Sequence, residues 1–373
     1  MRVMVGQFGG PTAVLNASLF GAWETLQAAG AETLGVRGGA RGLRAGDWLP
    51  LRGAPPDWLL TAPGAALGAG RQALSPLEIG QVARRLREAG AEACLLMGGN
   101  GTMGLASALA GAGLPAVGIP KTIDNDLAGT DHAPGYPSAA AFVAAATADL
   151  ADDLRAMAGF EDVRLIEVMG RRAGWLAGAA VLARRHPEDM PQRILLPEMP
   201  LDADALASDV AALHRRDGSV LLIVSEGVCA TDGTPFGLQA LDAAGQTRVL
   251  GAAARRLAAE LRRRLGLTVR AESLGFLPRC LGSAAVARDR TEARALGARA
   301  AEALLAGRQG VMAAIAPRQD GMEQTRYLEV PLSEVAGRER PLPPGMRDLG
   351  PAFRAWLQPL TGGPEKRRLR SLP

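Results

Sequence analysis

Short apolar runs recur along the chain, and each is followed by a glycine-rich turn and a longer segment rich in Ala and Leu. The runs RVMVGQF, ACLLMGG and RLIEVMG begin at residues 2, 93 and 164, and PAVGIP and SVLLIVSEG begin at residues 115 and 219. Helical segments between them, such as SPLEIGQVARRLREAG, start at Ser-Pro and stop at Gly. This alternation predicts an α/β fold with mostly parallel sheets that are covered on both faces.

The glycine-rich turns follow predicted strands, so they fall at the carboxyl edge where open α/β sheets bind ligands. Gly9-Gly10 and the turn from Gly98 to Thr102 each precede a predicted helix, an arrangement that suits phosphate. Neither turn has the Walker A or the GxGxxG pattern. A Rossmann oxidoreductase has only the α/β pattern in its favour, and the missing GxGxxG pattern argues against it.

Lysine and asparagine are scarce. The 373 residues, enough for two domains, include 42 basic side chains but only the lysines Lys121 and Lys366. Where arginine is the default cation, the interior Lys121 indicates a position that requires a compact ammonium group. It stands in PKTIDND, where it joins a hydroxyl and the carboxylates of Asp124 and Asp126. If the segment is extended, both carboxylates point to one side, and together these groups are what phosphoryl transfer needs.

The remaining composition excludes several classes of protein. Most of the net charge of +4 comes from the tail PEKRRLRSLP, so we expect no nucleic-acid partner. The three cysteines have neither disulfide nor zinc-site spacing, and no leader or long apolar run is visible, so no membrane partner is expected. These features predict a cytoplasmic protein.

A series of motifs carries a family resemblance. GGPTAVLNAS, GGNGTMG, PKTIDND, TDHAPGYPSAA, IEVMGRRAGWLA, LLPE, SEG and LGFLPR follow one another between residue 3 and about residue 310. In this order they resemble the phosphofructokinases, and most closely the branch that includes pyrophosphate-dependent enzymes. The resemblance implies two similar three-layer α/β domains with mostly parallel sheets, an active site in the cleft between them, and assembly as a homodimer or homotetramer.

It also implies roles for individual residues in a magnesium-dependent, glycolytic transfer from ATP or pyrophosphate to the 1-hydroxyl of fructose 6-phosphate. Asp124 would be the base, with Lys121, Thr122 and Arg171 as the other catalytic groups. The implied donor-site residues are Gly10, Arg71, Gln72, Gly99, Asn100, Gly101 and Thr102. The implied sugar-phosphate residues are Thr122, Asp124, Arg164, Met169, Gly170, Arg171, Glu226, Arg270, Phe276 and Arg279. The implied ligands of Mg²⁺ are Asp126 and Asn100.

The donor turn departs from the family pattern. Related enzymes carry an aspartate there, whereas this chain has Asn100 and Gly101, so Asp126 would be the main carboxylate near the metal. An aspartate at position 101 accompanies pyrophosphate use and fills space that a nucleotide needs. Gly101 leaves that space open and favours ATP, while Lys121 and the branch favour pyrophosphate. We therefore expect ATP, with the pyrophosphate-dependent transferase as the alternative.

Two further departures concern the sugar. Phe276 replaces the usual His or Tyr before the second arginine and cannot hydrogen-bond a phosphate. The arginine that the family donates across a subunit interface falls at Asp162 by ungapped counting, and Arg164 stands two residues on. These changes keep open a second alternative, a weakly active or regulatory member that binds another sugar phosphate.

The resemblance predicts how the chain is divided. We expect a donor domain from residues 1–135 and about 278–310, and a sugar-phosphate domain from residues 136–277 and about 311–360. Residues 361–373 would be a basic tail.

Overall fold

The computed structural model describes residues 1–70, 72–241, 247–318 and 324–362. The chain divides into two compact units. Unit 1 comprises Met1–Ser138 and Arg279–Arg340, and unit 2 comprises Ala139–Pro278 and Pro341–Pro373. The assignment of residues 311–340 to the sugar-phosphate domain is wrong, because two strands in this stretch extend the sheet of unit 1. Most of the expected tail lies outside the described residues.

The described residues contain the following strands. They are β1 (Arg2–Gln7), β2 (Glu32–Val36), β3 (Trp48–Leu51), β4 (Ala93–Gly98), β5 (Ala116–Pro120), β6 (Val163–Val168), β7 (Arg193–Leu195), β8 (Val220–Ser225), β9 (Leu238–Leu241), β10 (Thr247–Leu250), β11 (Val269–Ser273), β12 (Val311–Ile315) and β13 (Tyr327–Pro331). The apolar runs of the sequence form β1, β4, β5, β6 and β8, as predicted.

The α-helices of the described residues alternate with these strands. They are α1 (Leu15–Ala28), α2 (Ala40–Ala45), α3 (Pro76–Glu88), α4 (Asn100–Gly111), α5 (Tyr136–Ala156), α6 (Trp175–Gly178), α7 (Ala203–Asp217), α8 (Ala253–Leu265), α9 (Leu277–Cys280), α10 (Ala287–Leu305), α11 (Leu332–Val335) and α12 (Pro351–Leu357). Within the described ranges, none is long and apolar enough to cross a membrane.

Unit 1 is built on a seven-stranded sheet in the order β13-β12-β5-β4-β1-β2-β3. The strands from β12 to β2 pair in parallel, and the edge strands β3 and β13 are antiparallel to their neighbours. One face packs Val5 and Leu95 against α1 and α10, and the other packs Leu96 against Met103 of α4. The predicted three-layer arrangement with both faces covered is confirmed.

Helices α1 and α10 of unit 1 cross at backbone contact. A Cβ atom at Gly21 would collide with the carbonyl group of Arg294, and one at Gly297 would collide with that of Ser18. Each helix therefore needs glycine at the crossing, because any side chain would push the two backbones apart. No local sequence pattern indicates that these two glycines face each other.

Unit 2 contains a four-stranded parallel sheet in the order β11-β6-β8-β7, and β9 and β10 form a separate antiparallel pair. The segment RRAGWLAGAAVLARR at residues 171–185 follows the strand–turn–helix pattern of the sequence and is predicted to be one helix, but it forms only α6 and a 3₁₀ turn at Ala179–Ala183. This stretch is buried on all sides from Trp175 to Ala183. The ring of Trp175 packs at a tilt against that of Trp356, with ring centroids 4.8 Å apart. Residues 175–178 thus form the short helix α6, which is packed against the C-terminal helix α12, and not a longer amphipathic helix.

Candidate functional site

Lys121 lies at the carboxyl edge of the unit 1 sheet, directly after β5. Its side chain is only 4% exposed, and Nζ donates a 2.7 Å hydrogen bond to the carbonyl oxygen of Gly10, which follows β1. The carboxyl ends of β1 and β5, which are separated by β4 in the sheet, are thereby linked through this one cation. Gly9 also lies against it, because a Cβ atom at Gly9 would come within 3.0 Å of Nζ. The ammonium group thus lies against the backbone of Gly9 and Gly10.

The segment from Thr122 to Asp126 is a compact turn and not the extended stretch that the sequence suggested. The Thr122 hydroxyl accepts a hydrogen bond from the Asp124 backbone N–H at 3.1 Å and donates to Asp126 Oδ1 at 3.1 Å. Asn125 adopts a positive φ of 54°, a region that asparagine tolerates better than most residues. Its fully buried side chain accepts from the Ala133 N–H at 3.1 Å. This turn fixes Asp124 and explains the asparagine between the two acids.

Asp126 is the natural carboxylate for a metal at this edge. Burial raises its pKa above the ordinary value, the Thr122 hydrogen bond opposes this shift, and the charge of Glu339 adds to it. Within the residues that the structure describes, no group of three or more His, Cys, Asp or Glu side chains could hold a metal ion. The carboxylate of Asp126 fits Mg²⁺, because this ion binds through one or two protein carboxylates together with substrate phosphates.

The donor turn lies at the start of α4, where Gly99 caps the helix. The first N–H groups of this twelve-residue helix have no partners within the helix, which is the usual basis of phosphate binding. Asn100, a predicted metal ligand, has both polar atoms of its amide bonded to backbone. Its Nδ2 donates to the Arg338 carbonyl oxygen and its Oδ1 accepts from the Gly337 N–H, both at 2.7 Å. The amide therefore already has protein partners.

The other donor-site residues are more open. Gly101 is exposed, and a Cβ atom there would meet no heavy atom within 4 Å. The exposed Gln72 accepts a 2.9 Å hydrogen bond from Arg44, while Thr102 is buried. Arg71 lies outside the described residues. The donor turn thus has open space on the solvent side of Gly101.

In unit 2, Met169, Gly170 and Arg171 follow β6, and Glu226 follows the neighbouring strand β8. The Glu226 carboxylate accepts from the Gly170 N–H at 3.4 Å, and the Ser225 hydroxyl donates to the Gly170 carbonyl oxygen at 2.6 Å. Gly170 has a φ of 137°, which favours glycine. We call residues 169–171 the sugar loop. The structure brings this loop together with Glu226, the predicted hydroxyl-binding acid, and the side chain of Arg171 is exposed.

Glu198, the last residue of the motif LLPE, has a role that the motif alone does not indicate. Its carboxylate accepts from the Gly174 N–H at 2.9 and 3.1 Å, just after the sugar loop, and from the Leu342 N–H at 2.7 Å. Glu198 therefore ties the C-terminal segment of unit 2 to the end of the loop. The contact joins residues 144 positions apart, so no local pattern could indicate it.

The predicted phosphate-gripping residues differ in their surroundings. The half-exposed Arg270 on β11 lies 3.8 Å from a Glu161 oxygen, and its guanidinium lies 5.4 Å from the ring centre of Phe160. Arg279 is partly buried and belongs to unit 1. Phe276 is 64% exposed, unusual for a phenylalanine. These roles stay predictions.

Arg164, the candidate interface arginine, is buried within unit 2. It forms a two-pronged pair with the fully buried Glu161 at 2.8 and 2.7 Å, and it bonds Asp153 at 2.6 Å. The Glu161 hydrogen bonds raise the pKa of Arg164 further above its ordinary value. In this chain the arginine thus neutralises an internal acid.

A second buried ionic group, which the sequence did not indicate, lies in unit 1. The His132 ring is fully buried, with Nδ1 2.9 Å from Asp131 and Nε2 2.7 Å from Glu292 on α10. Burial alone would lower the pKa of His132, but the two carboxylates outweigh it and raise the pKa above the ordinary value. The same contacts hold the pKa of Glu292 at about 2, against the effect of its own burial. The group links the loop after PKTIDND to α10.

The chain is similar to known proteins over most of its length. A family profile described as Phosphofructokinase matches residues 2–304. The chain is 36% identical to the sulfofructose kinase of Alkalicoccus urumqiensis over 369 residues, which cover 96% of this chain and 95% of that protein. It is 33% identical to the pyrophosphate–fructose 6-phosphate 1-phosphotransferase of Rhodospirillum rubrum over 395 residues, with 99% and 96% covered.

Two further relatives complete the comparison. The ATP-dependent 6-phosphofructokinase of Mycobacterium tuberculosis is 33% identical over 360 residues, with 95% of this chain and 99% of that protein covered. A crystal structure of the pyrophosphate-dependent phosphofructokinase of Marinobacter aquaeolei superimposes with a TM-score of 0.85 at 28% identity, covering 99% and 94% of the two chains. Relatives named for both phosphoryl donors are thus similar to this chain at nearly equal identity.

Proposed function

Because the chain belongs to the phosphofructokinase family, we propose that it transfers the γ-phosphoryl group of ATP to the 1-hydroxyl of fructose 6-phosphate. The observation that carries the proposal is the turn at the carboxyl edge of unit 1. There Thr122 fixes Asp124, and Lys121 is held against Gly10. The cation, the base and the helix N-terminus are the parts that phosphoryl transfer requires.

In this mechanism Asp124 accepts the proton of the 1-hydroxyl as its oxygen attacks the γ-phosphorus. A bond forms between that oxygen and phosphorus, the bond from phosphorus to the β–γ bridging oxygen breaks, and ADP leaves. Lys121 and Arg171 stabilise the charge on the transferring group, and the first N–H groups of α4 bind the donor phosphates. Mg²⁺ held by Asp126 would neutralise donor oxygens. Magnesium dependence, self-association and cytoplasmic location stay predictions.

ATP is preferred as donor because of the open space at Gly101. An aspartate at this position would narrow that space, since the surroundings of Gly101 are otherwise empty to 4 Å. Pyrophosphate is the alternative, favoured by the names of several relatives.

The test is product formation from fructose 6-phosphate and Mg²⁺, followed by phosphorus NMR, with ATP and pyrophosphate in parallel. We expect turnover with ATP, and we expect Gly101→Asp to reduce the ATP rate by about tenfold or more while reducing any pyrophosphate rate less. Gly104→Asp on the same helix is the matched control, because a Cβ atom there also meets nothing within 4 Å. Turnover with pyrophosphate alone would exclude ATP as the donor.

A second candidate concerns the sugar, and the exposed ring of Phe276 favours it. This ring offers no hydrogen bond to a 6-phosphate, and a relative at 36% identity is named a sulfofructose kinase. A sulfonate at C6 carries a single negative charge and needs fewer donors than a phosphate. Parallel rates with fructose 6-phosphate and its sulfonate analogue decide between the two. Under this candidate, Phe276→His raises kcat/KM for the phosphate about tenfold relative to the sulfonate; an unchanged ratio counts against it.

A further inference from the structure

Asp289, in the first turn of α10, is a fully buried residue that the proposed mechanism does not use. Its Oδ1 accepts a hydrogen bond from the Gly135 N–H at 2.9 Å. Its Oδ2 accepts from the Ser138 N–H at 3.1 Å and from the Ser138 hydroxyl at 2.5 Å. Because all three partners are donors, the position requires a group that only accepts, and an ionised carboxylate is such a group.

Residues 133–135, which we call the support loop, contact the turn that contains the catalytic acids. The Ala133 N–H donates to Asn125 Oδ1 at 3.1 Å. The Thr122 N–H donates to the Pro134 carbonyl oxygen at 3.3 Å. The support loop is therefore bonded near both ends of the turn.

Gly135 is the residue of the support loop that contacts both the turn and α10. It forms a parallel bridge with Thr122 and donates its N–H to Asp289. Its φ of 100° favours glycine, and a Cβ atom there would come within 2.9 Å of the Thr12 side chain. The support loop is closely confined at this residue, so a shift of Gly135 also moves Thr122.

We propose that Asp289 is a positioning residue for the catalytic base: it fixes the support loop, and the support loop fixes the turn that holds Asp124. Thr122 completes the connection, because its hydroxyl accepts from the Asp124 N–H at 3.1 Å. This inference rests on the proposed function, in which Asp124 takes the proton of the sugar hydroxyl. Asp289 acts through the support loop and not on the substrate.

The charge of Asp289 is kept at a cost in stability. Burial raises the pKa of Asp289 to about 6 from an ordinary value of 3.8, although hydrogen bonds from Ser138 and Gly135 oppose the shift. At neutral pH the group is ionised in both the folded and the unfolded state. Because its folded pKa is the higher one, ionisation disfavours the folded state. Stability is commonly lost where a site must be held in one geometry, which agrees with a role in the reaction.

The competing explanation is that Asp289 only caps α5. This helix begins at Tyr136, and a carboxylate near its first N–H groups stabilises a helix N-terminus. Ser138 belongs to the same contact, since its hydroxyl also accepts from the Val286 N–H at 3.1 Å. Under the capping role, loss of Asp289 lowers stability and leaves kcat unchanged, whereas under the positioning role kcat falls.

The kinetic experiment compares Asp289→Ala with the matched variant Ser138→Ala, which removes one hydroxyl bond and keeps the bond from Gly135 to Asp289. We expect Asp289→Ala to lower kcat about 10- to 100-fold and to change KM for fructose 6-phosphate less than about threefold. Asp289→Asn keeps one acceptor oxygen and should give an intermediate kcat, while Ser138→Ala stays within about twofold of the wild type. Equal losses of kcat in the two alanine variants, or a normal kcat in Asp289→Ala, would overturn the positioning role.

Hydrogen exchange tests the same connection without turnover. The Thr122 amide, which donates to Pro134, reports on the contact between the turn and the support loop, and the Leu96 amide in β4 reports on the sheet of unit 1. We expect Asp289→Ala to increase exchange at Thr122 about tenfold more than at Leu96, and Ser138→Ala to affect both amides alike. Equal increases at both amides in Asp289→Ala would overturn the proposal. An enzyme that is inactive with fructose 6-phosphate would overturn the proposed function and leave the exchange result interpretable.

Asn125→Gly tests the connection from the side of the turn and leaves α10 unaltered. Glycine tolerates the positive φ of 54° at this position, but it removes the acceptor of the Ala133 N–H. We expect kcat to fall about tenfold, with little further loss when Asp289→Ala is added, because both substitutions act through the support loop. A normal kcat in Asn125→Gly would overturn the proposal even if Asp289→Ala fails to fold.

Discussion

At the carboxyl edges of both sheets, candidate site residues follow the strands, but their side chains are more enclosed in unit 1 than in unit 2. In unit 1 the chemically important groups are enclosed: Lys121 is buried against Gly10, and Thr122 and Asn125 hold the turn around Asp124. In unit 2 the backbone of the sugar loop is fixed by Ser225 and Glu226, but Arg171 remains exposed.

This difference indicates a division of labour. A group that must meet a reacting atom gains from a fixed position, because reorganisation during the reaction is then small. Arginines that grip a charged substrate can stay solvated until the substrate arrives. Substitutions in unit 1 should therefore lower turnover, and substitutions of the exposed arginines of unit 2 should weaken sugar binding.

The largest effect is expected for Asp124→Asn. Removal of the base should lower kcat by about 100- to 10,000-fold while KM for fructose 6-phosphate changes little. The rate is measured by coupled assay with the donor that the wild type uses. Asp149→Asn on the exposed side of α5 is the control for the charge change. A near-normal rate in Asp124→Asn would show that another group takes the proton.

A large effect on stability is expected for His132→Gln, which leaves Asp131 and Glu292 buried without their shared cation. The free energy of unfolding should fall by about 3–5 kcal/mol, measured by hydrogen exchange in α10. Because the folded pKa of His132 is raised, its contribution is complete below about pH 6.5 and declines as the pH rises through the folded pKa. The difference in the free energy of unfolding between the wild type and His132→Gln should therefore become smaller at alkaline pH.

The buried pair of Arg164 and Glu161 in unit 2 provides the matched control. Arginine does not titrate in this range, so Arg164→Gln should destabilise β6 by an amount that stays constant across the same pH values. A similar pH dependence in both variants would show that His132 is not the titrating group.

The smallest effect is expected for Arg270→Gln. Loss of a charged hydrogen bond to the sugar's anionic group should raise KM about tenfold with kcat nearly unchanged. Steady-state kinetics at saturating donor distinguish the two parameters. An Arg270→Gln variant that loses kcat and keeps KM would contradict the expected difference between the two units.

Much of the fold could be read locally. The helix α3 begins at Pro76 after the cap Ser75, whose hydroxyl accepts from the Glu78 N–H while the Glu78 carboxylate bonds back to Ser75. Local signals failed where burial was complete, as from Trp175 to Ala183, because a segment that is apolar on every side has no helical periodicity to detect.

The sequence alone determined the strand–turn–helix order, the position of the glycine-rich turns, the family and the identity of the acids and the cation in PKTIDND. These depend on residue type and short spacing, which the chain carries locally. Only the tertiary structure decided that Asn100 bonds the backbone of Gly337 and Arg338, that Arg164 pairs with Glu161 and that residues 311–340 complete unit 1. Each of these joins a donor to an acceptor or a strand to a strand through the folded backbone, and such pairings follow from packing that no local pattern encodes.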